Sequence, residues 1–363
     1  MTILHVSGLG GNRTSGLTIS VPKNVEYGSE YAQVAFYNLI NKNLEESINQ
    51  EKIFLIKDYS SISSLPKPFN NPDIVIFQSM YIKPFIKIYK ELKSLNIPYV
   101  ITPRGALTEK AQNKKKIKKI IGNILFFNKF IEDAASINFL TQNEYKESNK
   151  FKFKNYYING NGIDNKQKSK KFDNENNEFI VTFIGRIEWY HKGLDYLVEA
   201  INIGKDEFRK NNFIFNLYGP DDFNSYEKLN TMIKKYEIYD LIQIKSPVFD
   251  KEKEKVLLST DLFIHTSRLE GQPNSVIEAI SYGIPVFVTP GTNIDKEVYE
   301  NKLGFTSDFD INSIKENLLL AYKNRREYSN IGKREIKYAK EKFDWKIIVK
   351  KNIEEYKKII EVT

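Results

Sequence analysis

Short apolar runs alternate with longer amphipathic stretches along most of the chain, and this alternation is the feature that most narrows its fold. In the first half, the predicted strands are Ile3–Val6, Lys52–Ile56, Asp73–Gln78, Tyr99–Thr102, Ser136–Leu140 and Tyr156–Ile158. The predicted helices there are Glu30–Asn41, Phe85–Leu95, Thr108–Lys129 and Asn143–Ser148. Strands of a parallel sheet are short and buried on both faces, and a helix usually connects each to the next. The pattern therefore predicts an α/β domain with a doubly wound parallel sheet.

The same rhythm restarts after a polar stretch over Asn161–Glu178, which is typical of a linker. The strands predicted there are Phe179–Ile184, Phe213–Tyr218, Leu241–Ile244, Asp261–Thr266 and Pro285–Thr289. The predicted helices are Leu194–Ile203, Ser225–Tyr236, Glu252–Ser259, Asn274–Tyr282, Ile311–Asn324 and Trp345–Ile360. We expect two domains, 1–165 and 166–344, facing a central cleft, with the last helix (about 345–363) packing back on the first.

Composition excludes several kinds of chemistry. The chain has 363 residues, no Cys and three His, so disulfides, thiolate nucleophiles and Cys-based metal sites are excluded. We expect no metal or other cofactor. We also expect a cytoplasmic location, since neither a basic leader nor a long apolar run stands in the sequence.

Positive charge is concentrated in the first half. The chain has a formal net charge of +9, and Lys83–Lys129 holds 12 basic and 2 acidic residues. Nucleic acid, an anionic membrane or a phosphorylated substrate fits such a patch. Within it, Lys114, Lys115, Lys116, Lys118 and Lys119 flank isoleucines at helical spacing, which predicts an apolar face turned inward and lysines turned outward. A solvated helix face or attraction to anionic lipid fits this pattern, whereas nucleic acid is less suited because aromatic residues are not interleaved.

The segment Ser267–Val286 follows a predicted strand and is the most informative motif. Its turn contains Gly271, and Asn274 or Ser275 is a good N-cap for the helix that follows. A helix that begins at the end of a parallel strand presents backbone amides to a phosphate. Glu270 and Glu278 are placed to bind hydroxyl groups at two points of one ligand. Spacing alone is equally compatible with an ordinary capped strand–loop–helix unit.

Three other turns follow predicted strands. Gly185 and Arg186 leave the first strand of the second domain and Lys192 begins the next helix, so two cations are available for a diphosphate. Arg104 follows a first-domain strand and is expected to project into the cleft, although a structural turn explains it equally well. A glycine-rich loop is expected to run from Gly11 to Gly28, without the dinucleotide fingerprint, and Gly28 is expected to cap the following helix.

Taken together, these segments resemble the family 4 glycosyltransferases of the GT-B fold. Glu270–Glu278 matches the family's E-x7-E motif, and Gly185-Arg186 with Lys192-Gly193 matches its G-R…K-G motif. Asn161-Gly-Ile-Asp164 resembles the segment that enters the second domain. Tyr218-Gly-Pro220 and Ser246-Pro-Val248 stand where relatives contact the nucleotide.

The resemblance implies transfer of a hexosyl or N-acetylhexosaminyl group from a UDP- or GDP-linked donor, with retention and without a metal. Arg186 and Lys192 would hold the diphosphate, Glu270 the sugar and Glu278 the ribose. Gly185, Gly271, Asn274 and Ser275 would complete the donor site, while Arg104 and Gly28 would serve the acceptor side.

The resemblance also implies a role. The acceptor would be a glycan or a lipid-diphosphate-linked glycan, in capsule or exopolysaccharide synthesis at the inner face of the cell membrane.

Many relatives have His at the position of Arg104, and an Arg cannot be a general base. The alternatives are a nucleotide-sugar epimerase or hydrolase of the same fold, and a non-catalytic membrane- or glycan-binding relative.

Overall fold

A computed structural model of the chain describes residues 1–10, 16–40, 50–172 and 177–362. Contacts divide the chain into two units, Met1–Gly162 with Trp345–Thr363, and Ile163–Asp344. Each unit is built on one parallel sheet with helical connections, which confirms the predicted fold class.

The first unit has a seven-stranded sheet in the order β3-β2-β1-β4-β5-β6-β7. Its strands are β1 Thr2–Ser7, β2 Gln33–Asn38, β3 Ile53–Leu55, β4 Ile74–Gln78, β5 Tyr99–Thr102, β6 Ser136–Phe139 and β7 Tyr156–Ile158. Its helices are α1 Gly16–Gly28, α2 Phe85–Leu95, α3 Glu109–Asn113, α4 Lys116–Gly122, α5 Asn128–Asp133 and α6 Gln142–Glu147. A π-helical turn, Asn123–Phe127, joins α4 to α5. Central strands such as β4 are buried along their whole length, as strands covered on both faces must be.

The second unit has a six-stranded sheet in the order β10-β9-β8-β11-β12-β13. Its strands are β8 Phe179–Ile184, β9 Phe213–Tyr218, β10 Ile242–Lys245, β11 Leu262–His265, β12 Val286–Val288 and β13 Gly304–Thr306. Its helices are α7 Leu194–Ile203, α8 Lys205–Lys210, α9 Ser225–Tyr236, α10 Asp250–Ser259, α11 Asn274–Tyr282, α12 Asp295–Glu300, α13 Ile311–Lys323 and α14 Tyr328–Lys342. Short 3-10 turns lie at Gln50–Lys52, Pro290–Thr292 and Arg325–Glu327.

The last helix, α15 (Trp345–Val362), belongs to the first unit, where it packs on α1. The Asn159 side-chain amide donates to the Ile348 carbonyl oxygen at 2.8 Å and to the Asn352 side chain at 2.7 Å. A Cβ atom on Gly162 would lie 2.5 Å from the Trp345 ring, so glycine is required where the chain meets the start of α15.

Two sequence predictions near the start of the chain were wrong. Glu30–Asn41 was expected to be helical, but Gln33–Asn38 forms the buried strand β2. The loop expected from Gly11 to Gly28 is largely the helix α1, while Gly11 itself lies outside the described residues. Thr, Ser, Val and an internal Pro22 give α1 low helix propensity, so packing of its buried face decides its conformation.

The predicted helix Thr108–Lys129 is not continuous. Lys115 has φ +55°, which separates α3 from α4. The isoleucine face that was expected to turn inward is instead exposed, with Ile117 among its most exposed side chains. The helix is attached to the unit through other residues.

The second unit contains a buried ionisable group on α14. Glu335 is fully buried, and neither carboxylate oxygen has a hydrogen-bond partner within the described residues. Burial raises the pKa of Glu335 well above its usual range, against a small opposing effect of Arg334. The folded state therefore favours the protonated acid. Above the pKa that Glu335 has in the unfolded chain, the unfolded state is favoured by ionisation, so the folded state becomes less stable as pH rises.

We predict that Glu335→Gln is more stable than the wild type at neutral pH. Below the unfolded-state pKa both forms are neutral and the difference should be small. As pH rises above that value, the wild type should lose about 1.4 kcal/mol per pH unit relative to the variant until the folded pKa is reached. Urea unfolding between acid and neutral pH measures this difference.

The control for this prediction is Glu341→Gln, which changes an exposed glutamate on the same helix. Its stability should follow the wild-type pH dependence. Parallel curves for Glu335→Gln and the wild type would contradict the prediction.

Candidate active site

The candidate site lies at the carboxyl ends of β8 and β11, which are neighbours in the second sheet. The strand order reverses between them, since β9 lies beyond β8 and β12 lies beyond β11. Such a switch point leaves a crevice at the carboxyl edge, where open α/β sheets bind ligands. Arg186 follows β8, and the Ser267–Gly271 loop follows β11.

Close backbone contacts hold Lys192 beside the end of β11. Gly193 has φ +63°, and a Cβ atom there would lie 2.0 Å from the Thr266 carbonyl oxygen. The Thr266 hydroxyl donates to the carbonyl oxygens of Lys192 and Gly193, each at 3.2 Å. Because only glycine permits this approach, Gly193 fixes the backbone of Lys192 beside the end of β11.

The structure brings Lys192 and Glu270 together. The ammonium forms an ion pair with Glu270 Oε1. His265 Nε2 lies 2.9 Å from the same oxygen, and Ser267 Oγ donates to it at 3.0 Å. Three side chains from two strand ends therefore converge on one carboxylate.

The charges of this cluster compensate each other. Burial opposes ionisation of Glu270, but Lys192 and His265 hold the pKa of its carboxyl well below its usual range. Burial lowers the pKa of His265, although its contact with Glu270 opposes this shift. The cluster therefore offers a carboxylate that accepts hydrogen bonds, and a cation that can pair with an anionic ligand.

The third partner of Glu270, His265, was not predicted from the sequence as a site residue. It ends the apolar strand β11, stacks on Phe183 at 5.2 Å between ring centroids, and is fully buried. Its Nδ1 atom has no hydrogen-bond partner in the part of the chain that the structure describes. A polar last residue on a buried strand is the signal that could have identified it.

Arg268 is a second residue that sequence analysis missed. Its guanidinium pairs with both Asp195 oxygens, at 2.6 and 2.8 Å, and lies 4.2 Å from the Tyr190 ring centroid. Its backbone N–H donates to the His191 carbonyl oxygen at 2.8 Å. Arg268 thus joins the loop that carries Lys192 to the loop that carries Glu270, and we infer that it positions both.

We predict that Arg268→Lys lowers kcat about tenfold. Lysine keeps the charge but loses the two-pronged contact with Asp195 and the stacking on aromatic rings, so Lys192 is held less precisely. Asp195→Asn should give a similar loss, and the double variant should lose no more than either single variant. Steady-state kinetics on the three variants measures kcat separately from KM.

A matched control is Arg209→Lys in the same unit, because Arg209 pairs with both Asp240 oxygens, at 2.8 and 3.0 Å, on an exposed surface. Its kcat should be unchanged. Additive losses in the Arg268 and Asp195 double variant would contradict a shared positioning role.

Arg186 is half-exposed and pairs with Asp222 at 2.6 Å. Its backbone lies where β8 and β9 end side by side: Gly185 N donates to the Tyr218 carbonyl oxygen at 2.9 Å. A Cβ atom on Gly219 would lie 1.6 Å from the Gly185 carbonyl oxygen. The close approach of these two strand ends therefore explains why the middle residue of the Tyr218-Gly-Pro220 motif is glycine.

Helix α11 begins at Asn274, so the amides of Asn274 and Ser275 lie in its first turn. The expected side-chain cap was wrong, because the N-cap position is Pro273, without a side-chain hydrogen bond. The Asn293 side-chain amide donates to the Glu270 carbonyl oxygen and fixes the turn that precedes Gly271. The start of α11 is nevertheless placed to receive an anion at the same edge of the sheet.

Glu278 lies about one turn into α11 and is paired with two lysines. Lys253 forms an ion pair with one carboxylate oxygen, and Lys166 lies 3.7 Å from the other. The Lys166 ammonium also lies 5.1 Å from the Tyr282 ring centroid. Glu278 was predicted from the sequence as a site residue, but its two lysine partners were not, because they come from distant parts of the chain.

Arg104 is tied to its own unit rather than extended toward a ligand. Its guanidinium donates to Gln78 Oε1 at 2.7 Å and to Asn161 Oδ1 at 3.0 Å. The Gln78 amide in turn lies 3.1 Å from His5 Nδ1. Burial lowers the pKa of Arg104 to about 10, partly offset by Glu144. The acceptor-side role expected of Arg104 stays a prediction.

Gly28 does not lie at the carboxyl edge of the first sheet. It ends α1, and a Cβ atom on it would lie 3.2 Å from the Val34 side chain near the start of β2. The next residues pair with the beginning of β1, since Gln33 N donates to the Met1 carbonyl oxygen at 3.0 Å. The expectation that Gly28 caps a following helix on the acceptor side was wrong, because the chain there enters a strand.

Residues 1–10, 16–40, 50–172 and 177–362 contain no group of three or more His, Cys, Asp or Glu side chains placed to hold a metal ion. They also form no helix that is long and apolar enough to cross a bilayer.

The chain is similar to known glycosyltransferases in sequence and in fold. Residues 164–338 match the family described as glycosyl transferases group 1. The chain is 26% identical to the uncharacterized glycosyltransferase MJ1069 of Methanocaldococcus jannaschii over 282 residues, covering 76% of this chain and 65% of the relative. It thus spans slightly less than two thirds of that protein. It is also 26% identical to Protein CapJ of Staphylococcus aureus over 286 residues, covering 75% of this chain and 69% of CapJ.

The whole chain shares its fold with solved structures. HepE of Anabaena, in complex with UDP and glucose, superposes with a TM-score of 0.74 at 14% identity, covering 99% of this chain and 100% of HepE. At 14% identity, this likeness shows the GT-B fold and nothing about the ligand. The predicted E-x7-E and G-R…K-G motifs lie inside residues 164–338, the segment that matches the glycosyl transferases group 1.

Proposed function

We propose that the chain is a retaining glycosyltransferase of family 4 that moves a sugar from a nucleotide-sugar donor to an acceptor hydroxyl. The observation that carries the proposal is the Lys192–Glu270 pair at the β8/β11 switch point, within the segment that matches glycosyl transferases group 1. The pair combines a cation for the leaving diphosphate with a carboxylate for sugar hydroxyls, and both lie at the edge where this class of sheet binds ligands.

The proposed reaction needs charge stabilisation at the leaving group. As the bond between the anomeric carbon and the phosphate oxygen breaks, Lys192, Arg186 and the first turn of α11 stabilise the negative charge on the diphosphate. To do so, Lys192 turns from Glu270 to the phosphate, and Glu270 then accepts hydrogen bonds from the sugar. Glu278 does the same for the ribose. The acceptor oxygen bonds to the same face of the anomeric carbon, and its proton passes to the leaving phosphate oxygen.

The donor and acceptor are proposed by class. A UDP-linked sugar is favoured by the likeness to HepE, which binds UDP and glucose, and a GDP-linked sugar is the second candidate. We propose a hexosyl or N-acetylhexosaminyl group as the part transferred. The acceptor is a glycan or a lipid-diphosphate-linked glycan of a bacterial surface polysaccharide, at the inner face of the cell membrane. The basic character of Lys83–Lys129 supports an anionic acceptor or surface.

Donor binding tests the first part of this proposal. UDP- and GDP-sugars are screened for an increase in the melting temperature, because a ligand at one hundred times its Kd stabilises the native state by about 2.7 kcal/mol. At least one of these donors should stabilise the protein, and stabilisation should be lost in Glu278→Ala. The absence of binding by every nucleotide sugar would favour a non-catalytic relative.

Turnover then separates the enzyme classes. The donor that binds is incubated with and without glycan or lipid-linked acceptors, and free nucleotide and sugar products are measured. A transferase releases nucleotide much faster when its acceptor is present. Rapid acceptor-independent turnover would instead favour an epimerase or hydrolase of the same fold.

A further inference from the structure

A stripe of large apolar side chains is exposed on the first unit, where a helix would ordinarily turn such residues inward. It lies on the segment Lys116–Phe127, formed by α4 and the π-helical turn. The exposed fractions reach 75% for Ile117, 70% for Ile124 and 62% for Leu125. Ile120 and Ile121 are exposed as well, and these five residues follow the spacings i, i+3, i+4, i+7 and i+8 typical of one helical face. Phe126, beside them in the chain, is also exposed.

The opposite side of the segment is fixed to the unit. Phe127 is buried, with its ring 4.9 Å from that of Tyr81. The Asn123 side-chain amide donates to Gln112 Oε1 at 3.1 Å. The Lys119 ammonium donates to a backbone carbonyl of α3 and lies 5.2 Å from the Tyr81 ring centroid. The helix therefore cannot rotate its isoleucines inward without losing these contacts.

An exposed apolar surface of this kind marks an interaction site. The charged side chains beside it indicate which class of partner it binds. Lys115, Lys116 and Lys118 are exposed next to the stripe. Docking of a second copy through this face would bring identical lysines together in a desolvated interface, where like charges repel. An anionic bilayer instead offers phosphates to the lysines and hydrocarbon to the isoleucines at the same time.

We propose that Lys116–Phe127 is a membrane-docking helix that lies in the plane of an anionic bilayer and inserts its apolar stripe below the headgroups. The inference deepens the proposed function, on which it rests, by specifying how the first unit meets the surface that carries a lipid-linked acceptor. Attraction by the lysine charges alone predicts binding that salt abolishes. Insertion of the stripe adds a component that salt does not screen.

The experiment compares the full chain with two variants by co-sedimentation with vesicles. The vesicles are phosphatidylcholine alone, or phosphatidylcholine with about one quarter phosphatidylglycerol, at about 0.1 M and about 1 M salt. The apolar variant carries Ile117→Ser, Ile121→Ser and Ile124→Ser. The charge variant carries Lys115→Gln, Lys116→Gln and Lys118→Gln.

We expect the wild type to bind anionic vesicles at both salt concentrations, more tightly at low salt. The charge variant should lose about fivefold in partition coefficient per lysine at low salt, and should equal the wild type at high salt. The apolar variant should lose at least about tenfold at both salt concentrations. Ile203→Ser with Leu320→Ser, which changes two exposed apolar residues of the second unit, should bind as the wild type does.

Two results would overturn the docking helix. One is wild-type vesicle binding by the apolar variant at both salt concentrations. The other is a wild type that does not bind vesicles but forms a dimer in sedimentation velocity, which the apolar variant dissociates. Donor-induced thermal stabilisation, measured without vesicles, should be the same in all variants. Its presence in a protein that fails to dock would refute only the docking helix, and its absence in the wild type would refute the proposed function.

Discussion

Replacing Lys192 with alanine should lower kcat/KM for sugar transfer about a thousandfold. The ammonium is the cation that the structure fixes beside the end of β11, and the loss of a preorganised charge at a leaving group has effects of this order. The substitution also leaves Glu270 buried with one partner fewer. We therefore expect a modest loss of stability beside the large loss of activity. Kinetics with the donor found by thermal screening, together with urea unfolding, measures both.

Lys170 provides the matched control for that prediction. It is also a buried lysine paired with a carboxylate, 3.0 Å from Asp261, but Asp261 precedes β11 and lies at the opposite edge of the sheet. Lys170→Ala should lower stability by a similar amount and leave kcat unchanged. Glu270→Ala should lower kcat/KM by a similar factor to Lys192→Ala. A folded Lys192→Ala protein with wild-type turnover would refute the assigned role of the pair.

Gly219→Ala should destabilise the second unit by about 3 kcal/mol, a loss at the upper end for a single methyl group. The added Cβ would stand 1.6 Å from the Gly185 carbonyl oxygen and 2.7 Å from its carbonyl carbon. Both clashing atoms are backbone, so no side-chain rotation relieves the contact. Relief requires the ends of β8 and β9 to separate, which breaks the 2.9 Å hydrogen bond from Gly185 N to the Tyr218 carbonyl oxygen.

The same displacement moves Arg186, which follows Gly185 directly. Residual folded Gly219→Ala protein should therefore bind the donor more weakly than the wild type. Urea unfolding measures the stability, and Gly10→Ala is the control because no heavy atom lies within 4 Å of the Cβ position there. Equal stability of the two variants would show that the β8 and β9 ends separate without cost.

The sequence predicted the second unit better than the beginning of the first. Strands β8 and β9 and helix α11 have the predicted boundaries, because each combines a clear apolar pattern with Gly, Pro or polar residues at its ends. Strand β2 was mistaken for a helix since a fully buried parallel strand has no alternation to distinguish it. Helix α1 was missed because β-branched residues and a proline hide a helix that packing stabilises.

Local pattern also failed where partners come from distant parts of the chain. The lysines that pair with Glu278 are Lys166 and Lys253, and the arginine that positions the Lys192 loop is Arg268. Sequence spacing contains no information about such contacts. The direction of the isoleucine face in Lys116–Phe127 was predicted wrongly for a related reason. Periodicity identifies an amphipathic face but not the direction in which it points.

The two parallel α/β units and the motifs at the ends of their strands could be predicted from the sequence, because buried parallel strands and the glycines at their ends leave strong local signals. Which charges meet depends on the tertiary structure. It placed Lys192 and His265 on Glu270, tied Arg104 to Gln78 and Asn161, and left the isoleucine stripe exposed. These arrangements depend on contacts between residues far apart in the chain, and such contacts exist only once the strands have been ordered in the sheet.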